Sequence, residues 1–436
     1  MDPSALRCSA AQGVPKWAQA VTGAWSVAVA VAAVVGLSLQ SREPASNPLP
    51  FKPAFKNQTR APRPTRRSVY AAATIASGLD HPWSLAFLPN GHMLITERNG
   101  TMRIATPSGE VSDPIKGLPA LHLAGGHGLA DVILDPRFPE NRVLYFTHFA
   151  PPAGQAPRAI SNDEMNAWLR RPVAERLKDP LGMPRVARAR LSGDEKTIED
   201  VSIILDGADR RLVFGRDGTL FAMAETHTSG GVSFVDDLPQ RLDNPFGKVL
   251  RINPDGSIPR DNPFVGKAGA LPEIYAIGVR DAEGAAIEPS TGRLWINEHG
   301  VKGGDELNVI RPGANYGFPV ITYGIEYNDE PIGQSLTQKA GMEQPVYFWN
   351  PDIAPSGLMF YTGNLFPEWK GDLFLGSLLG KHLVRLRLRH DRVVFEEQLL
   401  TELGKRIRDV RQGPDQAVYL LTDEDNGELL RMVPRR

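Results

Sequence analysis

The chain has 436 residues, 42% hydrophobic and 23% charged, with a formal net charge of −1: a globular composition with enough apolar material for a large core. That charge balance argues against the basic footprint of a nucleic-acid binder. The one cysteine, Cys8, excludes an internal disulfide framework and any multi-cysteine metal site, and no GxGxxG, P-loop, HExxH or CxxC pattern occurs.

From Ala18 to Gln40 the sequence carries no charge, and "AWSVAVAVAAVVGLSL" is almost wholly apolar, with Arg7 and Lys16 ahead of it. This reads as a long secretory signal or an uncleaved membrane anchor. No small-x-small cleavage site follows Leu39, which favours the anchor, while Arg42, Lys52, Lys56 and Arg60 beyond it leave the orientation open. Either reading implies export, to the periplasm or to the periplasmic face of the cytoplasmic membrane. Residues 41–69 are rich in Pro, Lys and Arg and read as a solvated linker, with a basic cluster at Arg60–Arg67 able to touch anionic lipid or a partner.

From residue 70 a single shape recurs. "WSLAFLPNGHMLITE" (83–97), "ADVILDPRFPENRVLYFTH" (130–148), "RLVFGRDGTLFAMAE" (211–225), "GAAIEPSTGRLWINE" (284–298), "MFYTGNLFPEWKGDLFLGS" (359–377) and "DVRQGPDQAVYLLTD" (409–423) each run apolar pair, turn, apolar strand. Leu94, Leu144, Leu220, Leu294, Leu373 and Val418 occupy matching places. Dipeptides such as Asp217-Gly218, Asn99-Gly100 and Asn426-Gly427 supply the positive φ that tight hairpin turns need. Six such units predict an all-β chain, a six-bladed β-propeller over 70–436, with a β-sandwich pair as the alternative. Residues 152–183 form a long insertion with a short helix expected near Asp163–Lys178.

In a propeller, loops from every blade open onto one face, so site residues are sought there. On "NEHGVKGGDELNVIRPGANYG" (297–317), Glu306 with nearby carbonyl oxygens suits a hard cation such as Ca²⁺, or the loop is simply a polar turn. In "KRIRDV" (405–410), strand alternation puts Arg406 and Arg408 on one side, fit to grip the carboxylates of a small anion, or else they sit on a solvated edge. "GVRDAEG" (278–284) clusters Arg280, Asp281 and Glu283, and "LAGGHGLADV" (123–132) sets His127 among glycines.

At these clusters the chain resembles the glucose/sorbosone dehydrogenase family, whose soluble members bind pyrroloquinoline quinone (PQQ) on a six-bladed propeller. The likeness runs from about Ser77 to Pro434 and is strongest in "GKVLRINPDGSIPRDNPF" (247–264), "PEIYAIGVR" (272–280), "NEHGVKGGDELNVIRPGANYGFP" (297–319), "WNPDIAPSG" (349–357) and "RIRDVRQGPD" (406–415). The resemblance implies a sugar oxidised at its anomeric carbon, with hydride passing to the quinone. It implies a cofactor site at Arg280, Asp281, Tyr327, Arg406 and Arg408, and a Ca²⁺ site at Glu306 and Tyr316, the tyrosine through its carbonyl.

Half of the implied site departs from the pattern. The family's "DHQSGRL" is "DGADRRL" here, so the catalytic histidine's place is taken by Gly207; its "HRNPQG" has become "VRDAEG", giving Asp281 for asparagine and Glu283 for glutamine. The "GQGG" glutamine is Gly126, the stretch after the third hairpin is "AETH" (224–227), and a lysine near the quinone in some members is Leu379. Acidic groups beside a polyanionic cofactor would cost a few kcal/mol per close pair, and a missing base removes about 10²–10⁴-fold in rate. His127 and His227, with His299 also near the site face, are the substitutes the sequence offers. It therefore leaves open a sugar dehydrogenase with an altered base, a non-catalytic propeller binding a carbohydrate, metal or protein, and lactone hydrolysis by Asp281 and Glu283 around a cation.

Overall fold

A computed structural model describes residues 51–124, 127–226 and 237–435. The apolar stretch Ala18–Gln40, Gly126 and His227 lie outside them. Six antiparallel sheets stand around a central axis, five of four strands and one of three. Blade 1 is Pro82–Phe87, Met93–Glu97 and Thr101–Ala105; blade 2 is Leu129–Leu134, Val143–Ala150, Met183–Leu191 and Ile198–Asp206. Blade 3 is Leu212–Phe214, Leu220–Ala224, Lys248–Ile252 and Ile274–Ile277; blade 4 is Ala282–Ile287, Leu294–Glu298, Asp305–Ile310 and Tyr347–Trp349. Blade 5 is Pro355–Phe360, Leu373–Ser377, His382–Arg389 and Arg392–Leu399. Blade 6 is Ile407–Gln412, Val418–Thr422 and Gly427–Pro434, with Tyr70–Leu79 from the other end of the propeller as its outermost strand.

The recurring hairpin is the inner pair of each blade. The six matched apolar residues all fall in second strands and are at most 3% exposed. They feed five of six core clusters, each of the six lying between neighbouring blades, so the apolar effect holds blade to blade around the ring. The turn at Asp217-Gly218 is wider than a two-residue loop. The strands stop at Phe214 and resume at Leu220, Gly218 (φ 80°) donates to the Gly215 carbonyl, and the Asp217 carboxylate accepts from Thr219.

Two expectations change. The insertion holds two short helices, Asn162–Leu169 and Val173–Lys178, because Pro172 interrupts the run; Ser161 caps the first. Residues 51–68 are not a solvated linker but a strap along the outer strands of blades 4 and 5. Gln58 is fully buried there, and its carbonyl accepts from Phe348 N–H at 2.8 Å. The strap's composition signalled solvent, but edge strands carry unpaired backbone groups, and a passing chain can satisfy them.

Candidate functional site

In an antiparallel hairpin the start of the first strand and the end of the second lie at the same end. One face of the ring therefore gathers Arg210, Asp281, Glu283, Arg406 and Arg408 from first-strand entries, and Glu225, Glu298 and Asp423 from second-strand exits. Arg210 is 3% exposed and donates to Glu225 and, from Nε, to Asp281 at 3.2 Å, with Glu283 at 3.5 Å. Across the axis Glu283 takes Arg408 at 2.9 Å, and Arg408 also reaches Asp423 at 3.1 Å. Arg406 joins Asp423 at 2.7 Å, and Arg98 lies 3.8 Å from the same carboxylate. Arg406 and Arg408 do share a side, as alternation requires, but that side faces the protein's own carboxylates.

Burial opposes the charges of Asp281, Asp423, Arg210 and Arg408, and their partners outweigh it. Asp281 is held below the usual carboxylate range by Arg210, then by His299 and Arg280. Asp423 is held lower still by Arg408, Arg406 and Arg98, while Asp281 and Glu283 raise Arg210. Beneath the lattice, Arg211 lies 4.0 Å above the Trp83 ring and pairs with Asp131 at 3.2 Å and Asp409 at 3.1 Å, filling the channel.

A second centre lies beside it in blade 4. Glu298 and Glu306 share Asn308 Nδ2 at 2.8 and 3.1 Å, and Glu298 also accepts Arg280 N–H at 2.6 Å. Together with Gly278, Gly300, Tyr316 and Phe318 they line a cavity of about 10 Å³, the size of one water or one ion. Burial, and for Glu306 also the charge of Glu298, raises both carboxyls, Glu298 to about 7. The Tyr316 hydroxyl is spent internally, donating to Val309 O at 2.6 Å and accepting from Arg311 N–H, so only its carbonyl can serve an ion.

The family-base position is displaced from the lattice. Gly207 has φ 96°, and a Cβ there would stand 2.3 Å from the Pro245 ring. It borders a 290 Å³ cavity lined by Leu177, Met183, Pro184, Pro245 and Phe246, an apolar lining. His127 does reach the lattice: Nδ1 is 2.9 Å from Asp209 and Nε2 3.5 Å from Glu225, with the side chain 1% exposed. His299 bonds Pro355 O at 2.8 Å and lies 3.7 Å from Asp281. Tyr327 is 43% exposed beside Arg280, and Leu379 is 60% exposed.

His127–Asp209–Glu225 and Asp281–Glu283–His299 each bring ligand atoms within 4.8 Å of one another. Arg210 donates to carboxylates of both groups, so a fixed guanidinium stands where a metal's charge would be needed. Sequence reading missed Asp209, Arg210, Glu225, Glu298 and Asp423. One signal was present: in "DGADRRL" against "DHQSGRL", Arg210 replaces a glycine at the place where Asp281 and Glu283 converge.

Residues 79–431 match the Glucose / Sorbosone dehydrogenase family. Among curated proteins, the chain is 38% identical to aldose sugar dehydrogenase YliI of Escherichia coli (strain K12) over 361 residues, covering 82% of this chain and 91% of that one. The solved apo form of the soluble aldose sugar dehydrogenase from Escherichia coli superposes with a TM-score of 0.74 at 35% identity, over 84% of this chain and 100% of the other. The PQQ-bound aldose sugar dehydrogenase of Streptomyces coelicolor, 22% identical, shares the fold with a TM-score of 0.63 over 84% of this chain and 99% of its own. The repeated hairpins, the ring they close and these likenesses agree: the chain belongs to the glucose/sorbosone dehydrogenase family.

Proposed function

We propose that this chain is a Ca²⁺-holding, sugar-recognising propeller that no longer runs PQQ-dependent oxidation. The carrying observation is the pairing of Arg408 with Glu283 and Asp423. PQQ brings three carboxylates, and the arginines that would receive them are engaged by the protein's own acids. Admitting a trianion would break buried pairs, at about 3–5 kcal/mol for each partner stripped away. Gly207 supplies no base, and Pro245 leaves no room for one there. The residues present do not fit the cofactor, and no step through it is derived.

Ca²⁺ fits better. The Glu306 carboxylate, the Tyr316 carbonyl and neighbouring backbone oxygens would hold it in the 10 Å³ cavity. Bound there, it would supply positive charge to two crowded carboxylates and tie blade 4 to its Gly-rich loop. Descent makes an aldose the ligand class, and Tyr327 beside Arg280 offers an exposed aromatic face with a cationic donor next to it.

The test is calorimetric titration of PQQ into the Ca²⁺-replete full chain, followed by dye reduction with aldoses. We expect neither binding heat nor turnover, whereas aldoses alone bind. Ca²⁺ should raise Tm, and Glu306→Gln should remove most of that rise. PQQ binding followed by turnover would overturn the reading.

A further inference from the structure

We propose that the strap 51–68 is a docking face for an anionic lipid bilayer. The proposal is independent of whether the centre binds PQQ. Between Phe51 and Tyr70 stand Lys52, Lys56, Arg60, Arg63, Arg66 and Arg67 and no acidic residue, in a chain whose net charge is −1. All six basic side chains are exposed. The backbone that carries them is fixed, which distinguishes this strap from a floppy basic tether. Gln58 Nε2 donates to Pro345 O at 3.0 Å, Ala61 N–H to Tyr347 Oη at 2.8 Å, and Glu396 N–H to Pro62 O at 3.0 Å. At its far end Ser68 donates twice to Glu397 at 2.7 Å. Glu396 and Glu397, the carboxylates of the adjoining outer strand, are directed inward: Glu396 accepts from Tyr347, and Glu397 pairs with the buried Arg385. Arg392 lies 3.6 Å over the Phe55 ring and adds a further exposed cation.

Position supplies the second argument. The uncharged stretch Ala18–Gln40 is long enough to cross a bilayer, and it ends eleven residues before Phe51. Eleven residues reach at most about 38 Å, so a chain anchored by that stretch keeps the strap near the headgroups. A rigid rim with exposed cations, tethered that close, meets anionic phosphates over several groups at once. The propeller would then stand on its blade 4–5 edge, leaving its two ring faces free.

The experiment uses the full chain in vesicles. In a Cys8→Ser, Thr65→Cys background, a polarity-sensitive dye at position 65 reports contact with the bilayer. Emission should shift to the blue in vesicles with one-third phosphatidylglycerol and not in pure phosphatidylcholine. Roughly 1 M salt, which cuts the reach of exposed charges to about 3 Å, should reverse the shift. Lys52→Gln/Lys56→Gln/Arg63→Gln/Arg66→Gln should weaken docking on the order of a hundredfold while leaving Tm unchanged, since all four side chains are exposed. Equal emission in both lipids would overturn the proposal, as would a shift that neither salt nor the charge variant removes. Equal emission in both lipids with a shift on adding a soluble acidic protein would assign the face to a protein partner instead.

Discussion

Arg210 places one guanidinium between the loops of blades 3 and 4, and the acids around it make sense only in its presence. Taken singly, Asp281 and Glu283 put negative charge where the family resemblance implies neutral amides; with Arg210 they form a compensated set. Arg210→Ala should cost about 3–5 kcal/mol in denaturant unfolding, because it leaves buried carboxylates facing one another. Adding Asp281→Asn should restore part of that loss, and a strictly additive cycle would show that the two do not interact. The unusual residues were legible in the sequence, but their pairing was not: strand periodicity places side chains on a sheet and is silent about which loops meet at its end. A second residue-scale effect concerns His148, 1% exposed in the second strand of blade 2. Burial, then Arg185, lowers its pKa to about 4. An imidazole depressed in the folded state favours folding fully above its unfolded value near 6.5, and that support drains as pH falls through 4. The fold should lose roughly 3 kcal/mol over that window, and His148→Gln should flatten the loss in urea unfolding at pH 7 and pH 4.5.

Among elements, hairpins were easy to read and the strap was not. A hairpin declares itself through alternation and turn residues within about a dozen positions, so six copies could be aligned without any structure. The strap has neither, and its contacts are mostly backbone and amide bonds to strands nearly three hundred residues away, such as Gln58 with Pro345. Gln58→Ala removes the bonds to Pro345, Gln344 and Ala54, and should cost about 2–3 kcal/mol of local docking energy. Trypsin cutting at Arg60 and Arg66 would then quicken while the blades stay resistant. Unchanged cleavage would mean that the strap is held elsewhere, at Ser68 and Glu397.

On the scale of the whole molecule, the site is a product of the ring: Arg408 of blade 6 meets Glu283 of blade 4 only because six blades close. If the internal lattice is what excludes PQQ, replacing its members by the family's own residues should readmit the cofactor. Arg210→Gly/Asp281→Asn/Glu283→Gln is expected to gain PQQ binding in calorimetry, without turnover while Gly207 remains. No gain would move the cause of exclusion elsewhere in the centre.

Blade 6 draws its outermost strand from Tyr70–Leu79 and its other strands from the far end of the chain, with Tyr70 registered against Pro434. A protein made from its N-terminus must therefore carry this strand unmatched until the last one arrives. Residues 427–434 act as a clasp, and a product cut short before them presents two raw sheet edges to proteases and to other chains. The ring thus inspects its own synthesis, because only a copy translated through residue 434 can close.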